Sequence, residues 1–493
     1  MSDPTAAPVG GAADLARTGG AGPAAVFSPG AGRARVTLLV GSMAGFMIGL
    51  DATVVTTALP TIHAVLHASV STLGWTVSAY SLAFAALVLT GTALGDRFGR
   101  RRVFLAGLAV FTLASAACAV SPAAGWLIGA RAVQGAGGGA ATPLSLVLIT
   151  EAYPVARRGA VVGAWGAITG VAVAFGPVAG GAIVQGLAWQ WVFWLNVPIG
   201  LALVTCGGRL LAESRGPARR LDPAGLVLAT GAIFAVTDGL LRGPQAGWRS
   251  AEVLALFAAA AVLAAGFAAA ERRARDPLLP LALFANTALT AAVVCRFALF
   301  AIVFGCAFLM PQYLQLAHGF SPLRTGLGVL PFTAPLMLLA PAAGRLADRY
   351  GERPVIAAGA TASAAGIALL ARTVTAASSY PALAGPLLLA GAGVALAAPA
   401  AIAASLRAVP GPQLGLASGI GSTFQNVGGV FGIATATAVF ATAGGYRTPS
   451  DFVTGLRPAL LALAALAALG ALASLGTPAT ASKTAHTTTD PGR

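Results

Sequence analysis

Apolar positions along this chain gather into fourteen long blocks separated by short polar breaks. The blocks fall at approximately 36–60, 72–95, 103–121, 124–150, 160–186, 191–212, 224–241, 251–270, 286–310, 323–344, 354–372, 380–406, 413–442 and 457–475. Each is close to the ~20 residues an α-helix needs to cross a ~30 Å hydrocarbon core. Hydrocarbon offers no partner to a free backbone N–H or C=O, so these blocks must close their hydrogen bonds internally as helices. The expected fold class is therefore an all-α membrane protein with 14 transmembrane helices. An even number of crossings returns both termini to one side. The Gly-, Ala- and Pro-rich stretch 1–33 and the Thr-rich stretch 477–493 read as disordered tails on that side.

Composition agrees. Of 493 residues, 57% are hydrophobic and 9% charged, and the mean hydropathy is +0.83. A water-soluble surface needs about 25% charged residues, so the missing solvent is lipid. A net charge of +15 would suggest a polyanionic partner in a soluble protein, but here its distribution is topological. With a cytoplasmic N-terminus, 22 of the 30 Lys and Arg residues fall inside, 6 outside and 2 (Arg131 and Arg296) within helices. Basic residues are held on the cytoplasmic side in this way in the inner membrane. The expectation is a multi-pass protein of the cytoplasmic membrane, both termini cytoplasmic, with the lipid bilayer and not nucleic acid as its partner.

The chain also repeats itself. Leu94-Gly95-Asp96-Arg97-Phe98-Gly99-Arg100 follows the second block, and Leu346-Ala347-Asp348-Arg349-Tyr350-Gly351 follows the tenth. If blocks 9–14 repeat blocks 1–6, the organisation is a six-helix bundle over 34–212, a linker with an inserted helix pair over 213–277, and a second bundle over 278–476. Two such halves suggest rocking about a shared site near the midplane.

Charges inside the spans carry the chemistry, because a mid-membrane Arg costs about 2.5–3.5 kcal/mol on insertion scales and is kept where it faces a cavity or a partner. Arg131 in the fourth span has Gln134 and Gly135 on the same face, with Gly138 and Gly139 a turn further on. It either enters a polar cluster or snorkels to an interface. Asp51, well inside the first span, is its natural partner. Burial favours the neutral form of a carboxylic acid and a neighbouring cation the ionised form, so such a group can load and release protons as water access alternates. Asp51 is the candidate proton or substrate site, the other reading being a structural Asp near the outer interface. Asp238, near the outer end of the seventh span, reads as a solvated acid. Arg296 in the ninth span either reaches a cavity or pairs within its bundle. In the fifth span, Gly176-Pro177 and Gly180-Gly181 remove a backbone hydrogen bond and permit close helix approach, as a hinge would need.

Other chemistries are excluded by context. Gly135-Ala136-Gly137-Gly138-Gly139-Ala140 fits a dinucleotide fingerprint but sits inside a span with no strand before it. The only lysine is Lys483, so a Walker A loop cannot form. The four cysteines lie singly in apolar runs and read as small buried hydrophobes, and His63 and His67 have no nearby carboxylate. No metal, cofactor or catalytic grouping is expected.

These motifs resemble the major facilitator superfamily, specifically its fourteen-helix drug:proton antiporter group (EmrB/QacA-like), over nearly all of residues 34–475. Leu94 to Arg101 is similar to that family's cytoplasmic loop signature, with Asp348 heading a second copy. Arg131 with Gln134 and Gly135 is similar to its fourth-helix signature, Gly176-Pro177 with Gly180-Gly181 to its antiporter signature, and Leu50 to Pro60 to its first-helix signature. Trp75 and Tyr80, and the stretch Trp189 to Gly200, add group-specific matches. Thr92, Thr56 and Gln190 depart from the pattern. The resemblance implies a major facilitator fold of two six-helix bundles plus an inserted pair, with Asp51 and Arg131 coupling protons to export. It implies a conformational latch at Asp96, Arg97, Gly99, Arg100, Asp348 and Arg349. Asp51, Trp75, Tyr80, Gln134 and Arg296 become candidates for a substrate cavity binding lipophilic small molecules, with protons as the second partner and a monomer as the working unit. The expected function is a proton-coupled exporter of drugs or secondary metabolites. A nutrient symporter on the same fold, and a non-transporting receptor or an enzyme embedded in lipid, are the readings it competes with.

Overall fold

The computed structural model describes residues 31–216, 222–274, 277, 279–409 and 414–477. The expected tails lie outside these residues except for 31–33, which already belong to the first helix, and Thr477. Among the described residues the chain is helical throughout, without strands. The first group of helices is α1 (Ala31–Val54), α2 (Leu59–Leu66), α3 (Val70–Phe98), α4 (Arg100–Ala119), α5 (Ala124–Ala152), α6 (Val155–Gly186), α7 (Trp191–Trp194) and α8 (Asn196–Leu210). A hairpin follows, α9 (Pro223–Ala246) and α10 (Ala251–Arg273). The last group is α11 (Thr287–His318), α12 (Pro322–Gly328), α13 (Leu330–Leu338), α14 (Ala340–Tyr350), α15 (Glu352–Thr373), α16 (Tyr380–Arg407), α17 (Leu414–Ala443) and α18 (Pro449–Ala473).

Thirteen of the described helical segments are long and apolar enough to cross a membrane. The tenth expected block, 323–344, is broken into α12, α13 and α14. Pro331 and Pro341 stand at the starts of α13 and α14, where a missing N–H costs nothing, but each removes a hydrogen bond from a continuous helix. The first block is likewise interrupted by a 3-10 turn, Val55–Thr57, ahead of Pro60.

The helices of each group pack chiefly on one another, and the two groups meet along two seams, α3 against α17 and α6 against α12 and α13. The hairpin docks mainly by α9, which lies on both α3 and α17, while α10 packs on α9, meets the 3-10 turn Leu281–Ala285 and otherwise faces outward. Its outward residues, such as Val262 at 70% exposure, are apolar, as a lipid-facing surface requires.

The repeat has a physical counterpart. Gly99 and Gly351 each end one helix and begin the next at positive φ, +112° and +87°, a conformation that suits glycine. The preceding Arg lies over its aromatic neighbour in both copies, Arg97 over Phe98 at 5.4 Å and Arg349 over Tyr350 at 5.2 Å. Eight residues on from each turn, a second glycine sets the helix crossing. A Cβ on Gly107 would come within 2.9 Å of the Gly137 carbonyl oxygen, and one on Gly359 within 2.6 Å of the Gly393 carbonyl oxygen. The membrane supplies no hydrophobic drive for helix association, so such close backbone contacts hold each group together.

Gly107→Leu or Gly359→Leu should therefore destabilise the protein by about 1–3 kcal/mol through overpacking, seen as a lower thermal unfolding midpoint in detergent. Leu at Gly125, beside which nothing approaches, should leave the midpoint unchanged.

Candidate functional site

The polar centre of the first group is built from five helices. Arg131 on α5 and Asp51 on α1 are both 0% exposed and form an ion pair, Nη1 to Oδ2 at 2.5 Å. The second carboxylate oxygen, Oδ1, accepts from Gln134 Nε2 and from Asn196 Nδ2, each at 2.8 Å. Both amides also donate to Ser115 Oγ on α4, at 2.9 Å, and that hydroxyl donates to the Phe193 carbonyl at 3.1 Å. Gln134 Oε1 accepts from Arg131 Nη1 at 2.7 Å and from the Cys118 thiol at 3.6 Å. Arg131 Nε reaches the Thr76 carbonyl on α3 at 3.3 Å, and its guanidinium lies 4.1 Å from the centre of the Tyr80 ring. One donor, Nη2, has no partner.

Helix geometry explains why these residues meet. Gln134 follows Arg131 by one turn and so shares its face. Glycines at 135 and 139 let α5 lie directly on the α3 backbone at Tyr80 and Phe84, which brings the guanidinium to the Tyr80 ring. In an apolar interior a buried charge is tolerable only when paired and hydrogen-bonded, and here every carboxylate oxygen is.

Arg131 enters a polar cluster instead of snorkelling, and both it and Asp51 are completely buried there. Of the cavity candidates, Asp51, Tyr80 and Gln134 join the same cluster. Trp75 instead packs on Phe234 of α9, ring centres 5.1 Å apart. Arg296 lies in the last group, where its partner is Gln425 on α17, Nη2 to Oε1 at 2.9 Å. Asp238 is buried at 6% exposure, not solvated, and pairs at 2.9 Å with Arg242 one turn on, whose own side chain is half-exposed. Cys206 is exposed, unlike the other three cysteines, since α8 turns it outward among apolar neighbours such as Leu210.

At the end of the molecule carrying Gly99 and Gly351, Arg100 pairs with Asp96 at 2.7 Å and with Glu151 at the end of α5. Ser214 donates to the same Glu151 at 2.6 Å, its carbonyl accepts from the Arg100 backbone at 2.9 Å, and Glu213 caps the Arg101 N–H at 3.1 Å. These contacts tie the loop to α5 and to the segment after α8. The Asp348 side chain lies outside the described residues. At the opposite end the groups touch. Gly181 faces the Pro322 carbonyl, and Gly176 and Gly180 face α1 at Thr53 and Val54. Gln185 Oε1 accepts from Leu323 N–H at 3.2 Å, Gln315 donates to the Thr57 carbonyl at 3.0 Å, and the His63 and Tyr446 rings meet at a 31° tilt with centres 4.5 Å apart.

Sequence reasoning missed Ser115, Asn196, Gln425 and Glu151. Asn196 had a signal, an amide in the apolar stretch Val192 to Ile199; Ser115 had none, since hydroxyls are common in membrane helices.

The Major Facilitator Superfamily model matches residues 41–334 and 292–491, and the chain belongs to that family, whose members are transporters and not enzymes. It is 33% identical over 429 residues to the tetracenomycin C resistance and export protein of Streptomyces glaucescens, covering 87% of this chain and 80% of that one. It is likewise 33% identical over 453 residues to a methylenomycin A resistance protein of Streptomyces coelicolor, covering 91% and 93%. Among solved structures, the inward open conformation of the xylose transporter XylE from E. coli superposes with a TM-score of 0.63 at 16% identity, over 90% of this chain and 97% of that one; this likeness is one of fold.

Removing the carboxylate while the guanidinium stays buried should cost about 3–5 kcal/mol. Asp51→Leu is thus expected to lower the unfolding midpoint sharply, and Asp51→Leu with Arg131→Met to recover most of the loss. A double variant no more stable than the single one would show that the two side chains are not energetically coupled.

Proposed function

We propose that this protein is a proton-coupled antiporter that exports small lipophilic molecules across the cytoplasmic membrane by alternating access. The observation that carries the reading is the sealed carboxylate of Asp51, held by Arg131, Gln134 and Asn196. Protonation of Asp51 would cancel the ion pair and leave Arg131 with only neutral partners, so proton arrival and departure would change the packing of α1, α4, α5 and α8 together. Relatives named for resistance and export support the outward direction over uptake by symport.

The positive-inside distribution supports cytoplasmic termini and makes the Gly99 and Gly351 turns cytoplasmic. The contacts between α6 and α12, and between His63 and Tyr446, then close the outer end, as in an inward-facing state. Residues 34–212 and 278–476 would be the moving units, with 213–277 as linker and inserted pair and the broken run α12–α14 as the fourteenth crossing. Gly176-Pro177 and Gly180-Gly181 would be the hinge, because α6 there touches α1 of its own unit and α12 of the other. Asp96 and Arg100, now bound to Glu151 and the 213–216 segment, would exchange partners when the inner end closes.

Everted vesicles energised by respiration should lose part of their pH gradient when a transported compound from a broad drug panel is added. Asp51→Asn vesicles with equal folded protein should show at least a tenfold smaller response. An equal response in the variant, or none across the panel in wild type, would refute proton coupling. Gly181→Leu, which would force α6 off α12, should slow export at least tenfold while each unit remains folded by thermal unfolding.

A further inference from the structure

The two membrane-buried arginines are treated differently. Arg131 has a carboxylate; Arg296, at 4% exposure, has among the described residues only an uncharged partner, the Gln425 side-chain carbonyl. Its Nε has no partner. In a guanidinium, Nε–H and one Nη2–H point the same way and form the side-on edge that matches the two oxygens of a carboxylate. Half of that edge is an unpaired buried donor and half is held by a neutral amide oxygen, which a charged oxygen would displace. The room for the guanidinium is also built: Gly421, one turn before Gln425 on α17, lies against it, and any Cβ there would collide with Nη1.

The surroundings are aromatic. Phe300 and Phe304 follow Arg296 at one and two turns on α11, only partly buried, with ring centres 6.4 Å apart. Phe297 meets Phe431 of α17 at 5.6 Å. Both helices border the first group, α17 along α3 and α11 at the Val55–Thr57 turn.

We propose that Arg296 and Gln425 form the anion-recognising subsite of the cargo site, so that the preferred cargo is a lipophilic aromatic acid carried as its anion. The carboxylate takes the Nε–Nη2 edge, Gln425 turns its amide NH2 toward the same anion, and the ring system lies on Phe300 and Phe304. This rests on the exporter reading above and deepens it. Arg296 becomes a specificity-determining residue, separate from the Asp51–Arg131 pair.

The test uses purified full-length protein in detergent, with 2-naphthoate and its neutral methyl ester as matched probes and tryptophan quenching as the readout. Wild type should bind the acid at least tenfold more tightly than the ester. Arg296→Gln should bind both alike with ester affinity unchanged, and Arg296→Lys should keep a reduced preference for the acid. Thermal unfolding of each variant checks that the fold is retained. Equal affinity for acid and ester in wild type, no binding of the acid, or an acid preference that survives Arg296→Gln would overturn the proposal. The exporter reading fails separately: it is lost if wild-type vesicles bind the acid but move no compound of the panel, and it stands if dye export persists while the acid preference is absent.

Discussion

Everything in the first half of this molecule is arranged around the cost of one buried carboxylate. An ion pair sealed from water gains little net energy and loses heavily if any partner is missing, so Asp51 on α1 obliges α5 and α8 to deliver donors to a single point and α4 to brace them. Arg131 supplies the charge, Gln134 and Asn196 fill the second oxygen, and Ser115 holds both amides in place. The same obligation dictates the packing around it. The guanidinium can lie under Tyr80 only because Gly135 lets α5 rest on the α3 backbone. A change in the charge of one atom group is thereby felt by several helices at once, which is the property a coupling site requires.

The two halves share a backbone plan and differ in where they place charge. The turns at Gly99 and Gly351, the stacked arginines beside them and the paired glycines eight residues on are the same device used twice. The residue after the turn is Arg100 in one half and Glu352 in the other. Arg100 pairs with Glu151 at the end of α5, whereas Glu352 pairs with Arg407 at the end of α16, at 2.8 Å. The contact is conserved in place and inverted in sign. Each pair is closed within its own half, so the inversion changes which helix carries the acid while both turns keep their flanking arginines, Arg97, Arg101 and Arg102 in one and Arg345, Arg349 and Arg353 in the other.

Much of this was legible in the sequence because lipid imposes strong rules. The length of the apolar blocks, the bias of arginine and the duplicated loop gave helix number to within one broken segment. The Asp51–Arg131 pairing followed from the expense of isolated charge. What escaped was set by three-dimensional crossing. Ser115 and Asn196 are uncharged, so neither carries a cost large enough to announce itself, and each matters only because α4 and α8 cross α5 at that level. The break of the tenth block at Pro331 and Pro341 was not legible, because proline is common in membrane helices and neighbouring helices often satisfy the freed carbonyls. Asp238 looked solvated because its position near a helix end was visible while its burial against Arg242 was not.

The contact between the halves at the end opposite Gly99 and Gly351 is made with weak groups throughout. Backbone meets backbone at Gly181 and Pro322, single amide hydrogen bonds join Gln185 to Leu323 and Gln315 to Thr57, and a tilted ring contact joins His63 to Tyr446. Burial pushes the Tyr446 phenol further toward its neutral form, so no negative charge arises there to lock His63 in place. No ion pair crosses this seam among the described residues. If the protein works by the alternating access proposed above, a gate that opens on every cycle cannot rest on a contact worth several kcal/mol, whereas shape complementarity between small residues can close it and release it at little cost. Among the described residues the ion pairs lie inside the halves and the weak contacts between them, which is the distribution that the proposed motion would call for.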